Sequence, residues 1–203
     1  MRRANVQLQA DRRDEILVAA QACFARAGFH QTSMQEICAE AQMSPGNLYR
    51  YFRSKEDIIA AIAERDRAET AQQFAAVGQG NFFDGLAALA QHHLVERSLE
   101  EVALCAEIMA ESRRSPEIAR LAQDCERDIR AGITAMLRRA QEAGEIDAAL
   151  DLDAASRVLM ILGDGISWRR TVDPGFDTEK VLPLVLKMIG CLLGHPERRG
   201  KSP

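Results

Sequence analysis

Aromatic residues are scarce, at 5% of 203 residues, with one tryptophan, Trp168. Strand-like alternation of apolar and polar residues is missing, as is any internal repeat, which argues against sandwiches, barrels and solenoids. No apolar run approaches the roughly 18–20 residues that a membrane helix needs. Asp164 and Lys187 interrupt the best candidates. The opening MRRANVQLQADRR has no apolar segment of the signal-peptide kind, so a cytoplasmic protein with no membrane association is expected. The five cysteines (Cys23, Cys38, Cys105, Cys125, Cys191) form no C-x-x-C pair. They fall inside apolar helical patterns and are expected to be reduced, buried thiols.

Catalytic signatures are also missing. There is no H-E-x-x-H, no phosphate-binding P-loop and no Glu-x-x-His pair of the di-iron bundles. Gly163-Asp164-Gly165 begins like a dinucleotide fingerprint, but no strand precedes it and the third glycine is absent. Adjacent His92 and His93 cannot face the same way on a helix, which argues against a metal site built on both. The expectation is therefore no enzyme, no catalytic residue, no metal and no cofactor.

What is present is helix-forming. Alanine, leucine, glutamate, arginine and glutamine dominate, and six prolines and thirteen glycines leave long uninterrupted segments. The net charge is −4, but it is unevenly spread. Residues 1–55 carry eight Lys/Arg against five Asp/Glu, a net of +3, which leaves −7 for the rest. A basic N-terminal part on an acidic body points to an N-terminal surface that meets phosphate.

Residues 1–10 read as a flexible polar arm. A first helix is expected from about Asp11 to Ala27, with Ile16, Leu17, Ala20, Cys23, Phe24 and Ala27 on one face and Gly28 as its stop. Ser33 and Glu36 form a capping box for a second helix through Met34, Ile37 and Cys38. Ser44-Pro45 starts a third, ending near Phe52, with proline at the first helical position. Ser54 to Asp57 caps a fourth that runs to about Ala76. Later helices are expected over about 82–97, 99–113, 116–143, 153–172 and 178–193, giving about nine in all. The last has Val181, Leu182, Leu184, Val185, Met188, Ile189, Leu192 and Leu193 around most of its circumference. Such a helix is either the centre of a monomer core or buried in part by a second subunit.

Two short capped helices joined by a tight turn, residues 34–52, are the unit that lays its second helix in the DNA major groove. That helix is poor in apolar residues and rich in DNA-suited groups: Ser44, Asn47, Tyr49, Arg50 and Tyr51. The sequence here resembles the tetracycline-repressor (TetR) family. The matching residues are Gly28-Phe29, Thr32, Ser44-Pro45-Gly46, Leu48-Tyr49-Arg50-Tyr51-Phe52 and Ser54-Lys55-Glu56. One departure lies in the turn, where Gln42 stands in place of the family's glycine. A left-handed Gln42 costs about 1–2 kcal/mol.

The resemblance implies an all-α protein: an N-terminal three-helix bundle with a helix-turn-helix (11–55), a C-terminal helical ligand-binding and dimerisation domain (56–194), and a disordered tail (195–203). It implies a sequence-specific repressor that binds a palindromic double-stranded DNA operator as a homodimer and leaves it when a small-molecule effector binds. Thr32, Tyr49, Tyr51 and Lys55 would contact phosphates. Ser33, Ser44, Pro45, Gly46 and Asn47 would lie near phosphates and base edges. Arg50 is the best base reader, because guanidinium pairs bidentately with guanine. For Tyr49 and Tyr51 the alternative is that one packs inward. Leu159, Gly163, Ile166, Leu184, Val185, Met188 and Leu192 are the candidates for the dimer interface. Cys105, Met109 and Trp168 are the candidates to line an effector pocket, with plain core packing as the alternative for each. The competing function is an architectural DNA-binding or helical interaction protein without a ligand.

Overall fold

The computed structural model describes residues 2–77 and 80–194, with side chains described from Gln7 onward. The expected disordered tail, 195–203, lies outside the described residues. Among the described residues there are nine α-helices and no strand: α1 (Arg2–Gln31), α2 (Met34–Glu40), α3 (Pro45–Tyr51), α4 (Lys55–Ala76), α5 (Phe82–Gln91), α6 (Leu99–Glu111), α7 (Pro116–Glu142), α8 (Leu152–Val172) and α9 (Thr178–Leu193). A π-helical segment, His92–Glu96, directly follows α5.

The local signals work as chemistry predicts. Ser33 and Glu36 form the reciprocal capping box, and Asn81, Asp151 and Asp177 cap α5, α8 and α9 through their side-chain oxygens. The flexible arm is corrected: residues 2–10 are helical and run into α1. They contain no proline or glycine, and Gln7 donates to Asp11 one turn on, at 2.9 Å. Gly28 does not end the helix but kinks it, with φ 76° and ψ 163°, a conformation open to glycine and costly for other residues.

The turn between α2 and α3 is a Schellman motif. Met43 N–H donates to Cys38 C=O (3.0 Å) and Gln42 N–H to Ala39 C=O (3.2 Å), which satisfies carbonyls that the helix end leaves open. Gln42 takes the left-handed conformation at φ 51° and is exposed. Replacing Gln42 with glycine should therefore stabilise the protein by about 0.5–1 kcal/mol, since relief of the Cβ strain exceeds glycine's extra unfolded entropy. The check is the thermal midpoint, expected to rise by about 2–4 °C per kcal/mol.

The chain forms two compact units. One comprises the described residues through Asp66 together with Glu100–Asp124; the other comprises Arg67–Leu99 and the described residues from Cys125. The first is centred on fully buried Ile16, Phe24, Ile37, Leu48, Ile58, Ile59 and Ile62, joined by Leu104 of α6 and Ile118 of α7. The helix-turn-helix therefore shares its core with residues far beyond position 55. The core of the second unit contains Phe74, Phe82, Leu86, Met136, Leu137, Ile166, Val185, Ile189 and Leu193. Arg139 of α7 donates to the carbonyls of Phe74 (2.7 Å) and Val77 (3.3 Å) at the end of α4. Gln141 likewise holds the connector before α8 through the carbonyls of Asp147, Ala148 and Leu150.

Candidate DNA-binding interface

The presented helix is α3. Its inward anchors are Leu48, fully buried, and Phe52, 3% exposed. Arg13 lies over the Phe52 ring at 4.9 Å. With those two held, the other residues fall outward. Ser44, Pro45, Gly46, Tyr49 and Arg50 are exposed, Asn47 is half-buried, and Tyr49 keeps 52% of its surface in solvent. Ser44 is the N-cap residue, but its hydroxyl makes no capping bond, so it is available to an outside acceptor. A Cβ placed on Gly46 would meet no atom within 4 Å, so close packing inside the protein does not explain the glycine. The chain's two tyrosines both lie on this helix, and they diverge: Tyr51 is half-buried and packs against the core of the unit.

Of the expected phosphate contacts, Thr32 is corrected, and Lys55 is engaged in part within the chain. Thr32 is 1% exposed, and its hydroxyl points to the carbonyls of Gly28 (2.8 Å) and Cys23 (3.1 Å). It locks the Gly28 kink from inside. Lys55 directs its ammonium to the carbonyls of Phe29 (2.7 Å) and His30 (3.3 Å) and lies 4.6 Å from the Phe29 ring centre. It neutralises the open carbonyl end of α1, and one N–H at most remains for DNA. The Lys55 bonds span 26 and 25 positions, so spacing gave no signal for them, whereas those of Thr32 reach back only 4 and 9. Ser33 stays exposed but is committed to Glu36: it accepts from the Glu36 N–H (3.2 Å) and donates to Oε2 (2.8 Å). The Ser33 backbone N–H, which donates to Oε2 at 2.6 Å, and then the hydroxyl bond hold the Glu36 carboxyl below its ordinary range.

Sequence reasoning missed a contact behind the head. The His30 ring nitrogen Nε2 meets the carboxylate of Glu111 at the end of α6, and that glutamate is 7% exposed. Of the cysteines, Cys23 and Cys38 are buried as expected, and burial raises both thiols above the ordinary range. Cys105 and Cys191 are exposed and Cys125 is half-buried, so the expectation of five buried thiols is corrected.

A family model for "Bacterial regulatory proteins, tetR family" matches residues 16–62, spanning this head. A second, "BetI-type transcriptional repressor, C-terminal", matches 86–194. The HTH-type transcriptional regulator UidR of Escherichia coli (strain K12) is 34% identical over 163 residues, 80% of this chain and 83% of the relative. The chain belongs to the TetR family. Its structure resembles that of Salmonella enterica GusR, with TM-score 0.77 and 33% identity over 90% of this chain and 95% of that one. It also resembles the SmeT–triclosan complex, with TM-score 0.73 and 27% identity over 89% and 90%. As a TetR-family protein it is a DNA-binding, helix-turn-helix transcriptional regulator, and α3 is the second helix of that motif.

The other candidates of this TetR protein separate by burial. Ile166 (7% exposed) and Val185 (8%) belong to the core of the second unit, and no partner surface can be built on them. Leu159 and Gly163 are half-buried. Leu184 (67%), Met188 (49%) and Leu192 (37%) are open on α9, and Val158, Ile161, Trp168 and Val172 are open on α8. The α8 residues stand three, ten and fourteen positions after Val158, which is a helical stripe. The effector-pocket candidates are spread over both units. Cys105 and Met109 are exposed within the first unit and Trp168 within the second. None lines either groove of the second unit. One groove, of about 610 Å³, includes Arg127, Arg130, Thr134 and Arg138. The other, of about 570 Å³, includes Ala87, Ala88, Gln91, Leu182 and Leu186. Among the described residues no helix is long and apolar enough to cross a membrane.

Proposed function

We propose that this protein is a cytoplasmic transcriptional repressor that binds a palindromic operator as a homodimer and is released by a small-molecule effector. The observation that carries the reading is the outward face of α3: exposed Arg50 and Tyr49, an unused Ser44 hydroxyl and an open Gly46. Arg50 reads base edges, while backbone and hydroxyl groups near the start of α3 bind phosphate and fix the register. Two heads must then meet half-sites about 34 Å apart, which explains the need for a dimer. The exposed apolar residues of α8 and α9 supply a surface that a second copy would cover. Repression is supported by the BetI-type repressor model over residues 86–194. Control by a small molecule is supported by SmeT, whose structure holds triclosan.

Footprinting of the DNA flanking the gene tests this. Protection of two symmetric half-sites about one helical turn apart is the expected result. Equal affinity for that fragment and an unrelated duplex would instead favour an architectural DNA-binding protein.

A further inference from the structure

We propose that His30 is a positioning residue for operator binding: its ring and the buried carboxylate of Glu111 form a strut behind the helix-turn-helix, and the strut tightens when the ring is charged. This rests on the operator reading above and adds proton control to it.

The parts all lie in the first unit. His30 stands on the short stretch of α1 beyond the Gly28 kink, just before Ser33, the N-cap of α2. That stretch is the seat of the DNA-binding head. Phe29 is buried in the core, and its ring stands edge-on to the His30 ring, with centres 5.7 Å apart. Thr32 ties its hydroxyl to the carbonyls of Gly28 and Cys23, and Lys55 of α4 clasps those of Phe29 and His30. The end of α6 closes on the same stretch. Glu111, its last residue, meets His30 Nε2. Glu107, one turn earlier, lies beside Gly28, with Oε2 3.3 Å from where a Cβ would stand. Residues of α1, α4 and α6 therefore converge at the entry to α2.

Glu111 is 7% exposed, and among the described residues its carboxylate bonds no other side chain. A carboxylate shut away from water is costly without a partner. Here the partner is a group of the kind that changes charge between pH 5 and 8. The ring is open to solvent, with 58% of the side chain exposed, so protons reach it freely. A charged imidazole makes a charge-assisted bond, roughly twice as strong as a neutral one. The other charged groups facing this point are Glu107 of α6 and Lys55 of α4, one attracting a positive ring and one repelling it. Lys55 spends its N–H groups on carbonyls, so Glu111 is the carboxylate that grips the ring. His92 and His93 belong to the second unit, which leaves His30 as the histidine of the head.

The test uses the full chain and the DNA fragment protected in the footprint. Affinity is read by fluorescence anisotropy between about pH 6 and pH 8 at constant ionic strength. Wild-type affinity for that fragment should fall about 3- to 10-fold as the pH rises, the worth of charge assistance to one hydrogen bond. An unrelated duplex, held through phosphates, should change less. His30→Gln keeps a donor but does not titrate, and its profile should be flat. Glu111→Gln keeps the shape and removes the carboxylate, and it decides between two causes. If the strut is the sensor, this profile flattens too; if the His30 charge acts directly on DNA, the pH dependence survives. A second measurement needs no DNA: the His30 ring-nitrogen resonances should shift between wild type and Glu111→Gln. A flat wild-type profile, a pH dependence retained in Glu111→Gln, or unshifted ring resonances would each overturn the inference. The operator reading fails on a different result, equal affinity for the protected fragment and the unrelated duplex at every pH, and the resonances still decide the strut in that case.

Discussion

Arg50→Ala should weaken binding to the operator about 10- to 100-fold, the range expected for one bidentate base contact, with the thermal midpoint unchanged. Arg50 is exposed, and α3 is held by Leu48 and Phe52 on its other side, so truncation removes no packing. The loss should be selective. Binding to an unrelated duplex should fall only by the weaker effect of removing one positive charge, because that affinity rests on phosphate contacts and counterion release. Fluorescence anisotropy on both duplexes at two salt concentrations separates the cases. An equal loss on both would place Arg50 on phosphate, and no loss on either would remove α3 from the groove.

Leu184→Glu is expected to convert a dimer into a monomer and to abolish operator binding with it. Leu184 is 67% exposed, and Met188 and Leu192 flank it on α9. The substitution therefore costs the isolated chain little. Lys180 and Lys187 stand one turn before and after position 184, but Lys180 is engaged by Asp177 and both are exposed, and a carboxylate forced into an apolar interface without a partner costs about 3–5 kcal/mol. That corresponds to a dissociation constant raised roughly 10²- to 10³-fold. Light scattering coupled to size exclusion gives the mass directly. Val185→Glu, one residue away, is the contrasting control. Val185 is 8% exposed and sits in the core of the second unit, so this change should unfold that unit rather than merely separate two copies. A Leu184→Glu protein that stays dimeric and binds DNA would remove α9 from the interface.

Helix boundaries and caps were legible because their causes are local. Ser33 with Glu36, Ser44 with Pro45, and the α1 stripe from Ile16 to Phe24 each act within a few residues, where spacing alone fixes the outcome. The left-handed turn at Gln42 was anticipated for the same reason, since a turn of that length forces one residue to positive φ whatever its side chain. The N-terminal residues erred in the other direction: a polar composition suggested an arm, but nothing in residues 2–10 interrupts a helix.

The sequence by itself determined that the chain is helical, where most helices after the first start and stop, and that Pro45–Tyr51 is a short helix with DNA-suited groups. Tertiary structure alone decided which of those groups remain free. Thr32 and Lys55 turned inward to carbonyls of the chain's own first helix, Ile166 and Val185 went into the core, and Trp168 stayed in solvent. The physical reason is that periodicity defines a face of a helix but not what covers it. A hydrogen bond between residues 25 or more positions apart leaves no trace in spacing. The contact of His30 with Glu111, 81 positions further on, belongs to this second kind of information, because only packing between distant segments can shut a carboxylate away from water and bring it a partner.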